Sequence, residues 1–211
     1  MLASVIGRSN QNVYLQDSTG RFYAVPSHTL PSARGQGEPA SGKLNLPAGA
    51  TLTGMIMGED DKEVFVGTSA GYGFRTTIAD LHTKNKAGKS VVKISPYAQV
   101  VQPKLIYDDN SLIVAVSNEG RMLVFDISNL PNLAKGKGNK IINIPSARLK
   151  RGEEWVVDYA IVGQGTSLLV YSGKRYLSLK YGDLEHYIGE RGRRGHKLPR
   201  GFQRVDYLKS E

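Results

Sequence analysis

The chain can be laid over itself four times. The segment STGRFYAVPSHTLPSARGQG, Ser18 to Gly37, matches SAGYGFRTTIADLHTKNKAG, Ser69 to Gly88, and both match NEGRMLVFDISNLPNLAKGKG, Asn118 to Gly138. A looser copy, SGKRYLSLKYGDLEHYIGERGRRG, runs from Ser172 to Gly195. The leading glycines Gly20, Gly71, Gly120 and Gly173 step by 51, 49 and 53 residues, and the leucines Leu30, Leu81, Leu130 and Leu184 by 51, 49 and 54. A unit this long, too small to bury both its faces alone, must stack against copies of itself in a blade or solenoid array. The units are taken as residues 1–50, 51–100, 101–150 and 151–211 of a single domain.

Each unit has the same contents. A short apolar strand such as Glu63–Thr68 or Ser111–Val116 runs into a Gly turn, and a second strand follows at Arg21–Val25, Gly73–Ile78, Arg121–Asp126 or Arg175–Lys180. Two such runs joined by a few Gly-containing residues are a hairpin. A leucine-centred stretch comes next (SHTLP, IADLH, SNLPNL, GDLEHYI), one helical turn stopped by Pro or Gly. A Gly/Lys/Arg loop then leads to a third strand, expected at Lys43–Leu46, Ser90–Ile94 or Lys140–Ile144. A further apolar strand closes the unit, as at Thr51–Met57, Lys104–Tyr107 or Trp155–Val162. No segment keeps 3.6-residue periodicity for three turns, which excludes βαβ alternation. The fold class is all-β, with propeller-like four-stranded blades.

The Gly/basic loop recurs at one place per unit: RGQGE with Arg34; KNKAGK with Lys84, Lys86 and Lys89; KGKGNK with Lys135, Lys137 and Lys140; and ERGRRGHK with Arg191, Arg193, Arg194 and Lys197. One such loop alone is a solvated turn. Four at equivalent positions place cations at regular intervals around a rim, which suits a duplex whose phosphates supply most of the affinity. Glycine would add close approach of backbone N–H groups to phosphate. Glu38 offsets Arg34, making the first loop the weakest, and the unit around the fourth loop is the densest in positive charge. Lys plus Arg outnumber Asp plus Glu by 28 to 19, a net charge of +9 that fits a polyanionic partner, nucleic acid before membrane. No apolar run reaches the roughly 20 residues of a spanning helix, and without cysteine there is no disulfide or thiolate metal site.

Other patterns carry no chemistry. GEPASGK, Gly37 to Lys43, has the spacing of a phosphate loop but ends in Leu44 and leads into a strand, and AGKS, Ala87 to Ser90, lacks the upstream glycine. His28, His82, His186 and His196 show no metal-ligand spacing. Tyr72, Tyr97, Tyr159, Tyr171 and Tyr176 fall in strand patterns, where packing is their ordinary role. The acidic pairs at Asp108 and Asp109 and at Glu153 and Glu154 have the setting of solvated turn tips.

The stretches DSTGRFYAVPSHTLPSARGQGEP, SAGYGF, EGRMLVFDISNLP, KGKGNKIINIPSA and GERGRRG resemble the C-terminal domain of the A-type (ParC) chain of bacterial DNA topoisomerase IV, which is related to gyrase A, and the resemblance covers nearly the whole chain. It implies a β-pinwheel, a disc whose blades exchange strands, with about four blades and part of a fifth. The implied function is a rim that binds and bends double-stranded DNA, steering duplex capture for decatenation and supercoil relaxation. The implied setting is the bacterial cytoplasm, at the nucleoid. The implied partners are the N-terminal cleavage domain of the same polypeptide and the B-type chain of topoisomerase IV, neither of them matched here. The same holds for the first blade. No cofactor is implied for this domain and no catalytic tyrosine is inherited, since the ATP and magnesium chemistry lies in other domains. Gyrase wraps DNA through a QRRGGKG-type box, of which KGKGNK and RGRRG are degenerate echoes. A protein-interaction propeller with a basic rim and a gyrase-type wrapping domain are the alternatives.

Overall fold

The computed structural model describes residues 3–32 and 34–211; Met1, Leu2 and Ala33, assigned above to the first unit, lie outside the described residues. Four antiparallel hairpins form the body of the fold: Asn12–Asp17 with Arg21–Pro26, Glu63–Gly67 with Tyr72–Thr77, Leu112–Ser117 with Arg121–Asp126, and Ser167–Ser172 with Arg175–Lys180. The tip glycines have left-handed φ, +84° at Gly71, which L side chains rarely adopt. The helical turns follow as expected at Ser27–Thr29, Ile78–Leu81, Ile127–Asn129 and Tyr181–Tyr187.

Each hairpin gains an inner strand on its first member: Leu52–Ile56, Lys104–Ile106, Val156–Val162 and Tyr207–Ser210. The outer strand comes from the following unit. Lys89–Ser90 pairs with Arg21–Pro26, Asn139–Lys140 with Tyr72–Thr77, and His196–Lys197 with Arg121–Asp126. Among the described residues, three blades are therefore four-stranded and the last is three-stranded. The third strands are shorter than the sequence predicts. Only two residues pair at each, because the chain then leaves the sheet to cross the hairpin tip. The tip accepts that crossing: the amides of Val91 and Val92 donate to the Gly20 carbonyl at 3.1 and 3.0 Å, and that of Ile141 to Gly71 at 2.7 Å. A Cβ on Gly71 would lie 2.3 Å from the Ile142 carbonyl oxygen, so the tip glycine is required twice, for its turn and for this approach.

The strand expected at Lys43–Leu46 does not form. Ala40–Lys43 is a 3-10 helix, and Leu44 and Leu46 pack on the outer face of the first blade against Val13, Leu15 and Tyr23. Among the described residues no preceding hairpin offers an edge for it.

Apolar clusters lie between successive blades. Tyr14, Phe22, Val64 and Phe74 join the first to the second, Phe65, Ile113, Phe125 and Tyr159 the second to the third, and Val114, Val124, Leu168 and Val170 the third to the fourth. Middle strands are buried on both faces, which explains why their sequences are apolar runs rather than alternations. All four inner strands, through Ile56, Leu105, Ile161 and Leu208, face a cleft of about 510 Å³ on the disc axis. Tyr97, read above as a strand residue, instead sits exposed in a turn at φ 65°.

Candidate nucleic-acid interface

The crossing segments also seat the next basic loop. The Asn45 amide donates to the Lys86 carbonyl at 2.9 Å. Gly136 and the strip Val91–Lys93 exchange two bonds of 2.8 Å, Gly136 N to Val91 O and Lys93 N to Gly136 O. Gly192 N reaches Ile141 O at 2.7 Å and Asn143 N reaches Arg193 O at 2.9 Å. Loop, exit strip, next loop: the backbone forms one continuous belt along the outer edge of the blades. The spacing of four similar loops in sequence thus becomes adjacency in space.

Glycines of the second, third and fourth loops are used by the fold itself, whereas Gly37 of the first loop meets no atom within 4 Å. A Cβ on Gly138 would lie 2.2 Å from the Gly73 carbonyl oxygen and one on Gly195 2.5 Å from that of Met122. The amides of Gly88, Gly136 and Gly192 are taken up by carbonyls of the chain. Close approach is real, but it is to the preceding blade.

The side chains divide into two groups. Arg34, Lys84, Lys86 and Lys135 are exposed, and none makes a side-chain hydrogen bond or ion pair among the described residues. Lys137 is exposed with its ammonium 4.0 Å from the centre of the Tyr72 ring, and Lys140 Nζ donates to Asn143 Oδ1 at 3.2 Å. An ammonium above a ring is attracted to its face, and Lys137 remains solvent-exposed in that contact. Lys89 Nζ is turned inward to the Asp80 carbonyl at 2.5 Å. Glu38 does not offset Arg34: it pairs with Lys43 at 2.8 Å.

In the fourth loop every named cation has a partner. Arg191 donates to the Lys140 carbonyl at 3.0 Å, and Arg193 pairs with Glu190 at 2.8 Å. Arg194 holds the Asn143 carbonyl at 2.9 Å and Glu154 at 2.8 Å, and Lys197 donates to the Glu119 carbonyl at 3.0 Å. Glu154, placed at a solvated turn tip by its sequence context, is fully buried. Its second oxygen lies 3.1 Å from Arg148, and both contacts are ion pairs without good hydrogen-bond alignment.

Two arginines escaped the sequence reasoning. Arg21 Nη1 donates to the Ala87 and Gly88 carbonyls at 3.1 and 3.3 Å, and Arg121 to Gly195 at 3.4 Å. Each follows its tip glycine and clamps the incoming loop. The signal was the recurring Gly-Arg at Gly20 and Gly120; Tyr72 stands at the same place in the second blade and carries Lys137. His186 and His196 approach to 5.7 Å between ring centres, but no group of three metal-ligating side chains occurs among the described residues.

Residues 62–106 and 111–161 match the family model of the DNA gyrase C-terminal domain, β-propeller. The chain is 52% identical over 207 residues to the A-type chain of DNA topoisomerase 4 from Pseudomonas aeruginosa and 48% identical over 204 residues to that from Escherichia coli K12. These alignments take in 98% and 97% of the chain but 28% and 27% of the relatives. The structure of the Escherichia coli ParC C-terminal domain superposes with a TM-score of 0.88 at 47% identity, over 99% of this chain and 84% of that one. The chain belongs to the family of topoisomerase IV ParC C-terminal domains. A DNA gyrase A C-terminal domain shares the fold, with a TM-score of 0.71 at 16% identity over 94% of this chain and 65% of that one. The strand-exchanging β-pinwheel expected from the resemblance is the fold of this family member.

Proposed function

We propose that this domain binds double-stranded DNA along the belt of basic loops and bends it, as the DNA-steering part of a topoisomerase IV ParC chain. The observation that carries the reading is the belt itself: four loops made adjacent by backbone hydrogen bonds, with Arg34, Lys84, Lys86, Lys135 and Lys137 presenting charge to solvent. A convex row of cations contacts successive phosphates only if the duplex curves to follow it. The gain in phosphate contacts offsets a bending cost of order 1–6 kcal/mol. The exposed groups of the belt are lysine and arginine side chains placed as phosphate contacts, which position a duplex without reading it, so binding is indifferent to sequence.

The chain spans about a quarter of the length of its curated relatives. In the longer polypeptide the domain guides which duplex reaches the cleavage core for decatenation and relaxation. It contributes no catalytic residue. The cleavage domain and the B-type chain of topoisomerase IV are its protein partners, and the ATP and magnesium chemistry belongs to them. The setting of that work is the bacterial cytoplasm.

The test uses a duplex of about 40 base pairs with a fluorophore at each end. Energy transfer should rise on binding, and unrelated sequences should compete equally. A straight bound duplex, or strong preference for one sequence, overturns the reading.

A further inference from the structure

The third blade differs from the first two at two positions, and both face the fourth loop. The middle residue of the hairpin tip is Thr19, Ala70 and Glu119 in the three blades. A second position is fixed by the bond each tip makes to its inner crossing: Ser18 N to Thr51 O, Ser69 N to Gln99 O, and Asn118 N to Trp155 O. The residue before each acceptor is Ala50, Ala98 and Glu154. Where the first two blades carry small or neutral side chains, the third therefore carries two carboxylates.

Those carboxylates engage loop cations. Glu154 is fully buried between Arg194 at 2.8 Å and Arg148 at 3.1 Å. Glu119 lies 3.5 Å from Arg148 and 4.0 Å from Lys197, whose ammonium it also holds through its own carbonyl. Glu190, within the fourth loop, pairs with Arg193. The corresponding cations of the second and third loops, Lys84, Lys86, Lys135 and Lys137, have no carboxylate partner among the described residues.

We propose that Glu119 and Glu154, with Glu190, end the DNA track at the fourth loop, by holding with this chain's own carboxylates the cations that the second and third loops present to phosphate. The inference rests on the DNA-binding reading above and specifies where the duplex leaves the rim. The buried pair fixes Arg194 as a positioning residue for the loop, since separating it would strand a charge inside the protein. The exposed pairs of Glu119 and Glu190 are individually weak, so their role is to cancel local field rather than to lock the loop. Density of positive charge in the sequence points to the unit around the fourth loop. Pairing shifts the strongest grip to loops two and three.

Glu119 is part-exposed and can be neutralised without emptying the core. Duplex binding is measured by fluorescence anisotropy across a salt series for wild type, Glu119→Gln, Glu119→Gln/Lys197→Ala, Lys197→Ala, Lys135→Ala/Lys137→Ala, and Asp109→Asn as a control for net charge. Thermal melts confirm that each variant is folded. Glu119→Gln should bind several-fold more tightly than both wild type and Asp109→Asn, with a salt slope steeper by about one unit. Adding Lys197→Ala should remove the gain. Lys197→Ala alone should bind within about twofold of wild type, and the double lysine variant should be clearly weaker. If wild type binds duplex but Glu119→Gln matches Asp109→Asn, or Lys197→Ala weakens binding as much as the double lysine variant, the charge stop is overturned while the DNA reading stands. If wild type does not bind duplex at all, the DNA reading fails and the stop with it.

Discussion

Gly138 shows how a single residue can look like part of a binding site while serving the fold. In sequence it belongs to a phosphate-friendly loop; in space it lies against the preceding blade at φ +75°. Gly138→Ala should therefore cost about 1–3 kcal/mol of stability. Gly42→Ala, which meets no atom within 4 Å and has no left-handed φ, should stay within about 0.5 kcal/mol. Urea unfolding curves of the two variants check this. Tyr159 gives a second test at this scale. It is fully buried and donates to the Thr68 carbonyl at 2.8 Å. Burial, and secondarily the Asp158 carboxylate, push its phenol far above the usual tyrosine range. A group whose pKa is raised by folding contributes stability that is complete below the unfolded value, near 10, and declines as pH climbs beyond it, because the unfolded chain releases a proton the native one keeps. Thermal melts should show wild type ahead of Tyr159→Phe by about 1 kcal/mol at pH 8, with the gap closing toward pH 11. The cations of the loops were legible as residue types. Their partners were not, because Glu119 and Glu154 lie far from Lys197 and Arg194 in sequence and meet them only through strand exchange.

At the scale of elements, hairpins and helical turns were readable because each has a local cause: an apolar run, a glycine that must take positive φ, a proline or glycine stop. The exchanged strand was not. Its two paired residues carry no alternation of their own, and the apolar run after them marks burial beneath a tip rather than a ladder. Ile141, Ile142 and Ile144 are buried in the cluster between the second and third blades, though outside any strand. Ile142→Ala should cost on the order of 2–5 kcal/mol. Because that segment seats both its own loop and the fourth, DNA affinity should fall with it as the variant approaches its melting temperature. Differential scanning calorimetry and a binding curve at two temperatures check the coupling. The segment after the first loop shows the converse: its leucines anticipate a strand, but an apolar pattern does not specify a partner, and Leu44 and Leu46 cover a blade face instead.

At the scale of the molecule, the repeat predicted equivalent loops around a rim, and the fold makes them a graded series. A net charge of +9 draws a polyanion to the disc as a whole, but attraction at a distance is screened beyond about 10 Å at 0.1 M salt. Within that range the outcome depends on which cations are free. With Arg34, Lys84, Lys86, Lys135 and Lys137 engaged, log affinity should fall against log salt with a slope of about −4 to −5. The decisive comparison sets wild type beside the variant carrying Lys84→Ala, Lys86→Ala, Lys135→Ala and Lys137→Ala, each titrated with duplex DNA over a salt series. The variant should melt as wild type does, bind far more weakly, and keep a slope of only about −1. A variant that binds with wild-type affinity and slope would contradict the account, and would mean that the duplex lies on another part of the disc.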